Sequence, residues 1–303
     1  AGGFRSPEGK QNADWLDKDT LVASREWTPG EVTDSGYAYV VKIVGRSGEP
    51  KEIFRGQKSD VQANASVLRG EGGKAEGVVI RRGVTFFESE YSLYADGKLT
   101  RIDLPRKAQY QAYVDGRMVF TLQEAWNGFS AGALIAYDPK DLSAKPTLVF
   151  QPSPRQAIQN VTDTKGLLAV ELLEDVKGAI DVYDLKGGKW TGRRLALPKD
   201  ETLTIVSTSG EDDQLFVGAE GFPTPSSLWL ADGASGKAQK VKSLPARFDA
   251  SKDRVDQYWA TSSDGVKIPY FVVRQKAAKL DGSLPTLMYG YGGFEVAKPP
   301  IYL

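Results

Sequence analysis

Leu284-Pro-Thr-Leu-Met-Tyr-Gly-Tyr-Gly-Gly-Phe294 is unlike anything before it in the chain. The apolar run Thr286-Leu-Met288 leads into Tyr289-Gly-Tyr-Gly-Gly-Phe294, which predicts a buried strand breaking into a turn where glycines bring the backbone close to a neighbour. Upstream, a different pattern repeats. The chain is therefore expected to hold a large repetitive module followed by the opening strands of a second domain, with a boundary at about residue 250.

The repeat begins near Asp14. A first run, such as Ala13-Asp-Trp-Leu16 or Ala157-Ile-Gln-Asn-Val161, is followed by a second, Thr20-Leu-Val-Ala23 or Gly166-Leu-Leu-Ala-Val-Glu171. A third run closes on an Asp or Gly turn at Tyr39–Gly48, Ser92–Gly97, Leu134–Asp138, Ile180–Asp184 and Leu228–Gly233. A fourth ends near a Leu-Pro step, as in Leu99–Pro105, Arg193–Pro198 and Val241–Pro245, with Lys51–Phe54 and Thr147–Pro152 in the equivalent places. About five copies at roughly 45-residue spacing, each of four short strands, is the period of a β-propeller blade. A β-sandwich would not need the same turn chemistry at one interval. Only 60–68 and 247–257 mix polar and apolar residues in a way that could coil into helix.

Beyond Pro245 the theme stops. Asp256 to Thr261 and Val266 to Arg274 predict two strands joined through Ser263-Asp-Gly265, where Asp-Gly supplies the hairpin turn.

Composition narrows the chemistry. Across 303 residues, 41% hydrophobic and 26% charged is the make-up of a folded chain, and 39 basic residues balance 39 acidic ones. No net field draws the chain to nucleic acid or an anionic membrane, and no apolar run approaches the ~18 residues of a membrane-spanning helix. Neither partner is expected. There is no Cys and no His. These residues alone therefore hold no disulfide, no thiolate nucleophile, no imidazole metal ligand and no Ser-His-Asp relay, and no cofactor or metal is expected. The compartment, cytoplasm or periplasm, is left open.

Gly128-Phe-Ser-Ala-Gly132 spells a nucleophile elbow, but that motif needs a strand before it and a helix after it. Here Leu134–Asp138 is the third strand of a blade, so an ordinary loop is expected. Gly290-Tyr-Gly-Gly293 is not a dinucleotide fingerprint: its third glycine would fall at Glu295, and Pro299-Pro300 opposes the helix that must follow. What spacing leaves for the tyrosines is either packing beneath the propeller or a hydroxyl aimed into a cleft, donating to developing negative charge.

The segment from Thr261-Ser-Ser-Asp-Gly265, with Lys267-Ile-Pro269, through Asp281-Gly282 and Pro285 to Tyr289–Phe294 resembles the junction of propeller and hydrolase domain in prolyl oligopeptidase-type serine peptidases. Pro7-Glu-Gly-Lys10 and Trp15–Leu21 resemble bacterial members. The resemblance implies a propeller, seven-bladed in the family against about five here, covering residues 1–250. It further implies that 251–303 open an α/β-hydrolase domain whose serine, aspartate and histidine lie in sequence beyond these residues. Short proline-containing peptides would be cleaved after proline, with the propeller gating their access and the remainder of the hydrolase domain as a physical partner. By the same resemblance Tyr291 would donate to the oxyanion hole, and Phe294 would lie near the substrate.

Two other classes survive composition. One is a stand-alone propeller acting as a protein-binding scaffold. The other is a five-bladed glycosidase, which needs only two carboxylates across a pocket, with Asp14, Glu90, Glu124 and Glu171 as candidates.

Overall fold

The structure, a computed structural model, describes residues 3–293 and 296–303. Its secondary structure is nearly all antiparallel sheet. Five four-stranded sheets follow one another along the chain, each with its strands in sequence order. The first holds β1 (Asn12–Asp17), β2 (Thr20–Ser24), β3 (Val40–Gly45) and β4 (Lys51–Arg55). The second holds β5 (Gln62–Arg69), β6 (Ala75–Gly83), β7 (Ser89–Ala95) and β8 (Lys98–Arg101). The third holds β9 (Ala108–Val114), β10 (Arg117–Leu122), β11 (Leu134–Tyr137) and β12 (Thr147–Phe150). The fourth holds β13 (Gln156–Asp163), β14 (Leu168–Glu174), β15 (Lys177–Lys186) and β16 (Lys189–Arg194). The fifth holds β17 (Thr202–Thr208), β18 (Gln214–Glu220), β19 (Ser227–Asp232) and β20 (Ala238–Ser243). A separate hairpin pairs β21 (Asp253–Thr261) with β22 (Lys267–Gln275).

These are the blades the repeat predicts: the third runs fall on β3, β7, β11, β15 and β19 and the fourth on β4, β8, β12 and β20, whereas Arg193–Pro198 meets β16 only at its last two residues and runs into the connection after it. The stretches that could have coiled do not. Residues 62–69 form β5, and 253–261 form β21; among the described residues the only helical turn is 3₁₀, at Glu71–Gly73. The pairing of Ala63, Ala65, Val67 and Leu68 into a buried ladder overrides the weak local preference.

Two compact units divide the chain, Ala1–Gln151 and Pro152–Leu303. In the first, Val22 and Val41 of blade one pack with Ala65, Val78 and Ile80 of blade two, while Leu68, Val79 and Leu93 meet Met118, Phe120 and Ile135 of blade three. Phe120 is the hub of this second cluster, with Tyr91 and Tyr137 edge-on to its ring at 5.3 and 6.3 Å. In the second unit Ile180 and Val182 of blade four pack with Leu203, Leu215 and Val217 of blade five. Gly178 permits that approach: a Cβ there would stand 2.3 Å from the Leu203 amide nitrogen. Its own N–H donates to the Glu201 carbonyl at 2.7 Å, so the two blades are joined backbone to backbone.

Polar groups close the junction of blades one and two. Arg82 Nε and Nη2 each lie 2.8 Å from an Asp60 oxygen, and the Gln57 amide donates to Asp60 Oδ2 at 2.6 Å. The Asp60 side chain is 2% exposed. Burial is the largest single influence on this carboxyl and raises it, but the Arg82 bonds, the Gln57 amide and the Arg82 charge together hold it below the ordinary aspartate value. Removing one partner of such a pair leaves the other charge uncompensated, at a cost of about 3–5 kcal/mol. Asp60→Ala should therefore lower the unfolding free energy of the chain by about 3 kcal/mol in urea melts; a change below about 0.5 kcal/mol would show that the pair is solvated in solution.

Candidate functional site

The two expected strands form and pair through the Ser263-Asp-Gly265 connection, with Asp253 opposite Gln275 through Thr261 opposite Lys267. Ser262 and Val266 close a three-residue loop through the Ser262 N–H and the Val266 carbonyl, 3.0 Å apart. Gly265 takes the left-handed position at φ +86°, where a side chain would be strained, and Asp264 Oδ1 accepts the Val266 amide. On β22, Phe271 meets Phe222 of blade five edge-on at 5.4 Å. Gln257 of β21 donates through Nε2 to the Asp175 carbonyl of blade four at 2.6 Å. The hairpin is thus pinned to both blades of its unit.

The stretch 284–293 differs from expectation. No strand forms there, and Leu287 and Met288 are each 94% exposed. A strand requires a ladder, and among the described residues none is offered to this run, so it stays outside any sheet with Leu287 and Met288 in solvent. The glycines also act differently. None of Gly290, Gly292 and Gly293 has a left-handed φ, so backbone conformation does not demand them. At Gly290 and Gly292 an added Cβ would meet nothing within 4 Å, whereas at Gly293 it would touch the Tyr291 ring at 3.7 Å. The arm presents bare backbone to its surroundings.

Tyr291 stands half exposed on this arm, with the Lys298 ammonium 5.0 Å from its ring centroid and 5.5 Å from that of Tyr289. One cation bridges two tyrosine faces and orders them side by side. Phe294, the other residue expected at the substrate, lies outside the described residues. At the chain's far end the Thr202 hydroxyl donates to the Pro300 carbonyl at 2.5 Å, and Tyr302 stacks on Phe248 at 5.3 Å. These contacts anchor the end of the arm to its own unit.

The elbow-like Gly128–Gly132 sits in the connection between β10 and β11. Asn127 (φ +48°) and Gly128 (φ +83°) form a two-residue hairpin turn, with Trp126 and Phe129 exchanging both backbone hydrogen bonds. Two consecutive positive φ angles are the mark of a type I′ turn, so Ser130 belongs to a loop inside blade three.

The carboxylates of the glycosidase reading are each spent on blade structure. Asp14 accepts the Val67 amide at 2.9 Å and pairs with Arg69 at 2.7 Å. Glu90 is held by Arg82, Arg101 and Arg106 at 3.1–3.2 Å. Glu124 accepts the Lys107 amide, and Glu171 accepts the Ile205 amide at 2.9 Å, tying β14 to β17. These bonds, which the sequence did not disclose, hold strands together rather than face one another across a pocket. Among the described residues no group of acidic side chains forms a metal cluster.

The propeller geometry and the comparisons with known proteins converge. The family model described as the prolyl oligopeptidase N-terminal β-propeller domain matches residues 3–244. The chain belongs to the prolyl oligopeptidase family. It is 43% identical to an uncharacterized peptidase, y4nA, of Sinorhizobium fredii over 317 aligned positions, covering 99% of this chain and 44% of that protein. A prolyl endopeptidase of Elizabethkingia miricola is 28% identical over 137 residues, 45% of this chain and 19% of its own length. Among solved structures, a post-proline cleaving enzyme from Rickettsia typhi superposes with a TM-score of 0.81 at 24% identity, covering 97% of this chain and 45% of that one. The chain thus spans less than half the length of these relatives.

Burial raises the Glu171 carboxyl above its ordinary value of 4.5, against the smaller lowering effect of the Ile205 N–H. The folded state then binds its proton more tightly than the unfolded state, so this group's contribution is best below about pH 4.5 and declines as pH rises through the folded value. Glu171→Gln keeps an oxygen acceptor without the charge. Its melting temperature should match that of the parent at pH 4 and exceed it increasingly toward pH 7; a constant difference would contradict the desolvated carboxylate.

Proposed function

We propose that these residues are the propeller and the opening hydrolase strands of a serine peptidase that cleaves short peptides on the carboxyl side of proline. The observation that carries the reading is the family match over 3–244, followed in the sequence by Ser263-Asp-Gly265 and Tyr289-Gly-Tyr-Gly-Gly-Phe294. Residues 251–303 are read as the start of the α/β-hydrolase domain, with the exposed arm as a strand awaiting its sheet. The nucleophilic serine, the aspartate and the histidine are assigned to sequence outside these 303 residues, which contain no His. The names of the relatives favour peptide substrates: a prolyl endopeptidase in sequence and a post-proline cleaving enzyme in structure.

In this reading the serine attacks the carbonyl of a prolyl bond, the histidine takes its proton, and the leaving amine collects that proton as the acyl-enzyme forms. The Tyr291 hydroxyl donates to the oxyanion of the tetrahedral intermediate. It gains most where negative charge develops, so it lowers the barrier more than it tightens substrate binding. Bare backbone at Gly290 and Gly292 leaves room for the substrate and the serine turn to approach. The propeller limits entry to short, flexible peptides, and Phe294 contributes to the wall against which the substrate rests.

Tyr291→Phe tests this in the polypeptide that joins these residues to the catalytic serine. Loss of one oxyanion donor should lower kcat by roughly 10²–10³ with KM little changed, on a chromogenic substrate cleaved after proline. Unchanged kcat would remove Tyr291 from the oxyanion hole, and absence of post-proline cleavage by the parent polypeptide would remove the substrate assignment.

A further inference from the structure

Phe86 and Phe87 stand at the tip of the β6–β7 turn of blade two, 79% and 75% exposed, with their rings edge to face at 5.0 Å. The turn that carries them is ordered. The Val84 and Thr85 amides donate to the Glu88 carbonyl at 2.9 and 3.2 Å, and the Thr85 hydroxyl accepts the amides of Phe87 and Glu88 at 3.3 and 3.1 Å. Two large rings are therefore held out in water on a fixed backbone. Such an apolar pair marks a surface that another body covers.

Aromatic residues at a turn of this kind can instead fold inward: in the β10–β11 connection of blade three, Trp126 and Phe129 pack against the cluster around Phe120. Phe86 and Phe87 do not. Strand order points to what covers them. The strands of every blade run in sequence order, so the β6–β7 turn of blade two is the counterpart of β14–β15 in blade four and of β18–β19 in blade five. Those two counterparts carry the hairpin: the Asp175 carbonyl of the one accepts Gln257 Nε2 at 2.6 Å, and Phe222 of the other meets Phe271 at 5.4 Å. Blades of a propeller repeat radially, so equivalent turns serve one face.

We propose that the Phe86–Phe87 turn is a docking point on the propeller for the hydrolase domain that the β21–β22 hairpin opens, the two rings seating against an apolar surface of that domain. The Phe222–Phe271 pair shows the same chemistry on a smaller scale, one ring of a second-to-third turn against one ring of the hairpin. Because Thr85 fixes the turn beforehand, docking loses little further backbone freedom. This rests on the proposed function only in taking a hydrolase domain to follow the blades; cleavage after proline has no part in it.

Photocrosslinking in the polypeptide that joins these residues to the hydrolase domain decides it. With Phe87→p-benzoylphenylalanine, irradiation of the monomer should give an intramolecular crosslink from position 87 to a hydrolase-domain peptide. The same substitution at Leu99, exposed on the outer strand β8 of that blade, should give none. Phe86→Ser with Phe87→Ser removes no buried side chain, and should speed amide exchange in the crosslinked peptide at least about fivefold. A crosslink only to other blades or to a second copy, no crosslink, equal crosslinking from position 99, or unchanged exchange in the double variant would overturn the proposal. Post-proline cleavage by the unaltered polypeptide is assayed beside it, so that loss of the substrate assignment is told apart from loss of the docking point.

Discussion

A four-stranded antiparallel sheet satisfies its inner backbone groups but leaves two faces to be covered, and covering them blade upon blade is the constraint on which this structure depends. Hydrophobic contact does most of this, through Val22, Val41 and Ile80 at one junction and Ile180, Leu203 and Leu215 at another. Side chains alone would let the blades slide. Carboxylates fix the register: Asp14 of β1 accepts an amide of β5, and Glu171 of β14 accepts an amide of β17. The same device at two junctions gives each incoming inner strand a defined partner.

That constraint also determines where chemistry can reside. Acidic residues engaged between blades are not available as an acid and a base, and the loop spelling a nucleophile elbow is consumed by a hairpin turn. The groups left over lie on the arm after the last blade: Tyr291 beside Lys298 and the bare glycine backbone. Membership of the prolyl oligopeptidase family gives these leftovers a setting, since a propeller of this family accompanies a peptidase.

Much of the fold was legible in the sequence because its punctuation is local. The Asp-Gly steps at Asp96-Gly97 and Asp232-Gly233 and the Leu-Pro steps after β8, β16 and β20 are short-range signals of blade ends, whereas Asp184 lies inside β15, which turns at Gly187-Gly188. Residues 60–68 misled because the apolar positions of the alternation Gln62-Ala-Asn-Ala-Ser-Val67 are mostly alanine, whose strand preference is weak, although Gln62, Asn64 and Ser66 do face the less buried side of β5. The arm misled for the opposite reason. Thr286-Leu-Met288 has the composition of a buried strand, but a ladder needs a second strand, and composition cannot supply one. Nor could sequence reveal that Arg155 and Trp259, far apart in the chain, meet through the packing of the hairpin on blade four, the guanidinium 5.2 Å from the ring centroid.

Under the proposed function these residues are part of a serine peptidase whose catalytic groups lie elsewhere in the same polypeptide. Labelling the protein in its source with a serine-directed phosphonate, followed by intact mass and peptide mapping, tests this most directly. The expected product is an adduct on a polypeptide heavier than 33.0 kDa that yields peptides of this sequence, with the labelled serine outside them. An unlabelled species of 33.0 kDa carrying the same peptides would contradict it.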